Sequence, residues 1–269
     1  MELRNFPKDV EVIASSWRRN VITVDPWKPT GIPGAAGGEA QGYYVTSGTV
    51  NAYAKPSKLD PLPKAAHEKI ASDLAFDIGL PVPPATLLNW GKPPVGDQPH
   101  VVLSLIPFLS VHKWGEIKAV PSLEAQLKQE MRSVASAIVP FDTWLGNQDR
   151  VNNDGNILVS KDKVDPATKL GVVYVDFSNS MLVRWRSSDF ETVDAIGIYP
   201  IDPKDVDISA MDVVTSKIET MQDEEIKAVV NGLPNEFIDD SDRRIVQDAL
   251  LFRKSNIRAA LKKIYGALP

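Results

Sequence analysis

The rhythm of apolar and polar positions changes near the middle of the chain. Over the first 109 residues, short apolar runs alternate with proline, glycine and asparagine. That pattern predicts strands at 42–46, 50–55, 85–90 and 100–105. One helix is expected in this half, over 64–78. There Ile70, Leu74 and Ile78 recur every four residues beside Ala71 and Ala75, and Gly79 and Pro81 follow as a stop signal. Beyond residue 110 the helical period dominates. Leu123, Leu127, Met131, Val134 and Ile138 form one stripe, with Ser122 as its expected N-cap. Pro140 is expected to break that stripe and open a second helical piece through Phe141, Trp144 and Leu145. A polar loop over 147–155 comes next. Two apolar runs of strand character, 156–160 and 172–176, are separated by a polar turn at 161–169. Helices are expected again at 223–231, stopped by Gly232 and Pro234, and at 242–265.

Composition bears this division out, because 14 of the 21 prolines and 9 of the 16 glycines fall within the first 109 residues. The 269 residues suit one large domain or two modest lobes; 43% hydrophobic and 24% charged are ordinary globular values. The absence of cysteine excludes disulfides, thiolate nucleophiles and thiolate zinc sites. His67, His100 and His112 are not spaced as metal ligands. A net charge of −5 offers nothing to a phosphate polymer, so no nucleic-acid partner is expected. No apolar run approaches membrane-spanning length, and the N-terminus lacks a charged-then-apolar leader, so a cytoplasmic protein without a membrane partner is the expectation.

The informative chemistry lies in three polar side chains around the two late strands. Asp149 sits in the loop, Asn156 where that loop enters a strand, and Asp176 at the end of the apolar run Val172-Val173-Tyr174-Val175. Turns between strands are rich in Asn, Asp and Gly for conformational reasons alone, so each residue taken singly has a plain structural explanation. Their order is more telling, since a buried strand that ends in one carboxylate delivers a charge to its tip. Phosphoryl transfer needs such a set: one carboxylate to orient the attacking hydroxyl, and hard oxygen ligands to hold magnesium against phosphates.

The run Gly146-Asn147-Gln148-Asp149-Arg150-Val151-Asn152, followed by the strand ending Asp176-Phe177, resembles the catalytic centre of HipA-like kinases and, more distantly, the phosphoinositide kinase loop. The resemblance implies an α+β, two-lobed protein kinase-like fold. A small β-rich N-lobe with one helix would span residues 1–109, and a larger, mainly helical C-lobe 110–269. It implies an enzyme using ATP and magnesium, with Asp149 as catalytic aspartate, Arg150 as stabiliser of the loop, and Asn156 and Asp176 as magnesium ligands. Lys55, at the end of the 50–55 strand, would hold the phosphates. Glu68, 13 residues later in the first turns of the helix, would fix that lysine. The helix and its exit, Ile78-Gly79-Leu80-Pro81-Val82-Pro83-Pro84, are similar to the same family. Upstream, Gly37 and Gly38 lie in a glycine-rich stretch where backbone amides could approach phosphates. The run 101–110 would lead into the hinge that meets adenine.

The sequence departs from the family pattern in three places. Val151 stands where histidine is usual, Asn156 follows Asp149 by seven residues, a longer spacing than the family's, and Tyr53 shares a face with Lys55 where protein kinases carry alanine. The expected function is transfer of the γ-phosphate of ATP to a hydroxyl, foremost a protein serine or threonine. The alternatives are a lipid or small-molecule acceptor, and a nucleotide-binding regulatory module without transfer. A protein substrate and an antitoxin-type or regulatory protein are the implied partners.

Overall fold

The computed structural model describes residues 4–33, 42–56, 63–91, 98–108, 110–117, 120–147, 149–160, 171–181 and 206–266. Gly37, Gly38 and the turn at 161–169 lie outside them, as do the side chains of Val151 and Asp154. The described elements run α1 (Lys8–Arg19), β1 (Lys28–Pro33), β2 (Tyr43–Ser47), β3 (Val50–Pro56), α2 (Lys64–Ile78), β4 (Ala85–Asn89), β5 (His100–Leu105), β6 (Val111–Lys113), α3 (Trp114–Ile117), α4 (Pro121–Leu145), β7 (Ile157–Ser160), β8 (Val172–Tyr174), α5 (Ile208–Thr220), α6 (Asp223–Asn231) and α7 (Asp240–Tyr265).

The first half builds an antiparallel sheet in the order β1-β2-β3-β5-β4. Strand alternation divides its side chains between two faces. Ala52 and Ala54 of β3 share one face with Leu105 and Leu103 of β5, and this face joins a core with Trp17, Trp27 and Val10. Tyr53 and Lys55 point the other way, opposite Ser104 and Val102. Helix α2 packs on that second side through Ile70 and Leu74, in one core with Leu87 and Val102. It ends in Gly79, which is left-handed (φ 75°) and donates its amide to the Ala75 and Phe76 carbonyls, as the sequence predicts.

The second half is carried by α4, α5, α6 and α7, with the small sheet β6-β7-β8 beside them. Helix α4 runs unbroken through Pro140, contrary to the expected interruption. The missing amide removes one hydrogen bond, whereas Ala137, Ile138, Val139, Phe141, Trp144 and Leu145 around it are all buried, so packing outweighs the local cost. Ser122 is not the N-cap either. Pro121 already begins the helix after Val120, and no side chain caps it. At the far end Trp144 is fully buried, and its Nε1 donates to the Leu250 carbonyl of α7 at 2.9 Å. Arg253 of α7 returns two hydrogen bonds to the Thr143 and Trp144 carbonyls, satisfying the last turn of α4.

Five elements have no counterpart in the sequence expectations, among them the four-residue helix α3. Strand β1 is the proline-containing edge of its sheet, with a register shift between Pro29 and Pro33; an edge is where a missing amide is tolerated. Helix α1 buries Val10, Ala14 and Trp17, spaced at helical intervals. Helix α5 is capped by Asp207, whose side chain accepts from the Ala210 amide. Strand β6 is only three residues long. Among the described residues no helix is long and apolar enough to cross a membrane.

Because Trp144 locks α4 to α7, Trp144→Ala is expected to lower stability by about 3–5 kcal/mol. Urea unfolding followed by tryptophan-independent circular dichroism measures the loss.

Candidate active site

The left-handed Gly146 (φ 64°) ends α4 and turns the chain into the polar loop. Asn147 is fully buried there: its Nδ2 donates to Asp142 Oδ1 at 3.0 Å, and its Oδ1 accepts from the Asp149 amide at 3.3 Å. Two short 3-10 turns, Asp149–Asn152 and Asp154–Asn156, lead into β7. Arg150 is the centre of this region and only 2% exposed. Its guanidinium binds Asp142 with two donors, at 2.7 and 3.3 Å, and its Nη1 donates to the carbonyls of Asn156 (2.7 Å) and Val175 (3.1 Å). It also lies over the rings of Phe177 and Tyr174, 4.8 and 5.2 Å from their centroids. Arg150 thereby ties the end of α4 to the chain entering β7 and the chain leaving β8. Asp142, its counter-charge, was missed, although a lone carboxylate in the apolar run around Phe141 and Trp144 was the available signal.

Asp149 and Asn156 meet: Asn156 Nδ2 donates to Asp149 Oδ2 at 3.3 Å, which leaves the Asn156 side-chain oxygen as an acceptor. The Val175 amide donates to the Asn156 carbonyl at 3.0 Å, so Asp176 leaves β8 one residue beyond a direct contact with Asn156. Asp176 has φ 63°, a left-handed conformation that a non-glycine residue adopts only when its surroundings hold it there. On one side of that turn the Asp176 carboxylate faces Lys55, with Oδ1 at 3.0 Å from Nζ and accepting from Ser178 Oγ at 2.7 Å. On the other side the Phe177 amide donates to Glu68 Oε2 at 2.8 Å.

Lys55 lies between two carboxylates, since Glu68 Oε2 is 3.5 Å from its Nζ. Glu68 is 4% exposed on a helix buried nearly all round. The electrostatics follow from this sharing. Burial opposes the charge on Lys55, but Glu68 and Asp176 outweigh it and raise its pKa. Burial also works against the Asp176 carboxylate, yet Lys55 and the Ser178 hydrogen bonds hold it below the usual range. Glu68, deeper and farther from the ammonium, is pushed upward by burial and by the Asp176 charge.

Lys55, Glu68, Asp149, Asn156 and Asp176 all line one cavity of about 560 Å³ between the five-stranded sheet and the loop region. Tyr44, Tyr53, Ser104, Lys64 and Lys113 line it too; none of these but Tyr53 was singled out from sequence. Tyr53 does face the same side as Lys55. Its ring lies so close to Gly42 that a Cβ there would come within 2.3 Å of the phenol, so glycine at 42 makes room for tyrosine at 53. The donor set suits magnesium, which takes one or two protein oxygens and keeps waters and phosphates for the rest. Among the described residues there is no group of three or more His, Cys, Asp or Glu that could hold a metal ion.

A small antiparallel sheet with one buried helix, joined across a cleft to a helical part that contributes a carboxylate-bearing strand end, is the protein kinase-like fold. Among solved structures the chain is similar to the crystal structure of a Helicobacter pylori proinflammatory kinase, CtkA. The TM-score is 0.62 at 13% identity, covering 92% of this chain and 99% of that one. No protein-family model and no curated protein matches the sequence.

Two consequences can be measured. Removing one partner of the buried Arg150–Asp142 pair strands the other charge, so Asp142→Ala is expected to lower unfolding free energy by about 3–5 kcal/mol in urea titrations. His67, fully buried, donates Nδ1–H to the Ser178 carbonyl at 3.3 Å; burial foremost lowers its pKa from 6.5 to about 4, with Lys64 adding to the fall. Between those values the unfolded chain binds a proton that folded His67 refuses. Its share of stability is therefore intact above pH 6.5 and lost as the pH falls toward 4, by about 3 kcal/mol. His67→Gln should shrink the drop in urea midpoint between pH 7 and pH 4.5; an identical drop in both proteins rejects this account.

Proposed function

We propose that the chain is an ATP- and magnesium-dependent kinase of HipA-like character that transfers the γ-phosphate to a hydroxyl, foremost on a protein serine or threonine. The observation that carries this reading is Lys55 set between Glu68 and Asp176 at the rim of a cavity that Asp149 and Asn156 also line. In this reading Lys55 holds the α- and β-phosphates, and Glu68 keeps it from swinging out. Asp149 receives the proton of the acceptor hydroxyl as its oxygen bonds to the γ-phosphorus and the bond to the bridging oxygen of ADP breaks. Asn156 and Asp176 would hold magnesium, which neutralises charge on the phosphates. Arg150 touches none of the reactants in this scheme and instead fixes the loop that carries Asp149. The fold likeness to a solved kinase supports the reaction class, and the protein acceptor rests on the resemblance in the loop alone.

The test is incubation with γ-labelled ATP and magnesium, with and without a host lysate. Asp149→Ala is expected to reduce transfer by roughly 10²-fold or more while leaving nucleotide binding nearly intact. Asp176→Ala should weaken magnesium-dependent binding itself. Equal transfer by wild type and Asp149→Ala would reject the assigned role. Binding without transfer in the wild type would instead establish a nucleotide-binding regulatory module.

A further inference from the structure

The roles above use the part of the cleft where Lys55 meets the carboxylates. Two residues earlier on the same face of β3, Tyr53 belongs to a row of side chains with its own architecture. Tyr53 on β3 stands directly opposite Ser104 on β5 and opposite Tyr44 on β2, so the three side chains form a single row across the sheet. All three line the cavity. The two tyrosine rings meet edge to face, with centroids 5.1 Å apart and planes at 68°. Ser104 is 9% exposed, and its buried hydroxyl has no hydrogen-bond partner. A buried hydroxyl left unpaired is unfavourable in the free protein and becomes favourable once a ligand completes it.

The neighbouring backbone makes that hydroxyl more significant. The Leu105 amide donates to the Pro84 carbonyl at 2.8 Å, and the Ile106 amide to the Asn51 carbonyl at 3.0 Å. Pro107 has no N–H at all. Three successive positions where the chain leaves β5 thus present no free amide donor to the cleft. An aromatic heterocycle entering here meets two tyrosine rings and, beside them, one hydroxyl able both to donate and to accept.

We propose that Ser104 is a specificity-determining residue: its hydroxyl hydrogen-bonds the edge of the adenine base seated against Tyr53. This rests on the nucleotide reading of the cleft. The base is then read by a side chain from the middle of the sheet row, and the phosphates are read separately by Lys55.

Isothermal titration of the full chain with magnesium-ATP and with magnesium and inorganic triphosphate tests the idea. Ser104→Ala is expected to weaken ATP binding about tenfold, with triphosphate binding unchanged. Unchanged triphosphate binding also shows that the variant is folded. Ser104→Thr keeps the hydroxyl on a residue suited to a strand, and should bind ATP within about threefold of wild type. If Ser104→Ala binds ATP as tightly as wild type, the role of Ser104 is overturned and the kinase reading stands. If wild type binds ATP no better than triphosphate, the base is not read here and the proposal fails. If wild type binds neither, the nucleotide reading falls and the proposal falls with it.

Discussion

The buried guanidinium of Arg150 is the interaction on which the rest of the site depends. A charge this deep is unfavourable unless every donor finds an acceptor, and here the acceptors come from three separate parts of the chain: Asp142 at the end of α4, the Asn156 carbonyl before β7, and the Val175 carbonyl after β8. Satisfying one side chain therefore fixes the relative positions of a helix end, a loop and a strand pair. Asp149 precedes Arg150 and Asp176 follows Val175, so both carboxylates inherit their places from groups that Arg150 holds.

From there the geometry passes to the sheet. Asp176 can face Lys55 only because its backbone takes the left-handed turn, and that same turn presents the Phe177 amide to Glu68. Glu68 thus touches both Lys55 and the backbone after Asp176. The helix that carries it is buried on nearly every side, and beyond the sheet it is tied to α1 through the Lys69–Asp73 pair, whose ammonium also donates to the Trp17 carbonyl. The loop, the strand end, α2 and β3 are in this way joined by a chain of polar contacts running through Arg150, Asp176, Glu68 and Lys55.

Much of this was legible in the sequence, and the parts that were not share a cause. Helix α2 is predicted over its observed span, 64–78, and β5 over 100–105, because their apolar periods are clean and their ends carry glycine or proline. Asp149, Asn156 and Asp176 leave marks in the local pattern, the kinase resemblance adds Lys55 and Glu68, and all five line one cavity. What the pattern hides is anything decided by a distant partner. Pro140 signals a break that surrounding burial overrides, and β1 carries prolines that its edge position excuses. Asp142 reads as one polar residue in an apolar helix until Arg150 is placed against it. The deep burial of Glu68 likewise follows from neighbours that its own helix does not specify.

Tyr53 illustrates the same limit in the opposite direction. Read locally, it is an obstruction where a small residue is usual. In space it is accommodated, because Gly42 on the adjoining stretch gives up its side chain and Tyr44 packs edge to face with the ring. A residue that departs from a pattern is therefore informative only together with its compensations. Here they leave a cleft of about 560 Å³ lined both by tyrosines and by the Lys55 ammonium. The two make different chemical demands: a flat, weakly polar group suits the tyrosines, and a dense anion suits Lys55. A ligand that carries both satisfies the cleft more fully than either piece alone, and under the proposed function a nucleoside triphosphate is such a molecule.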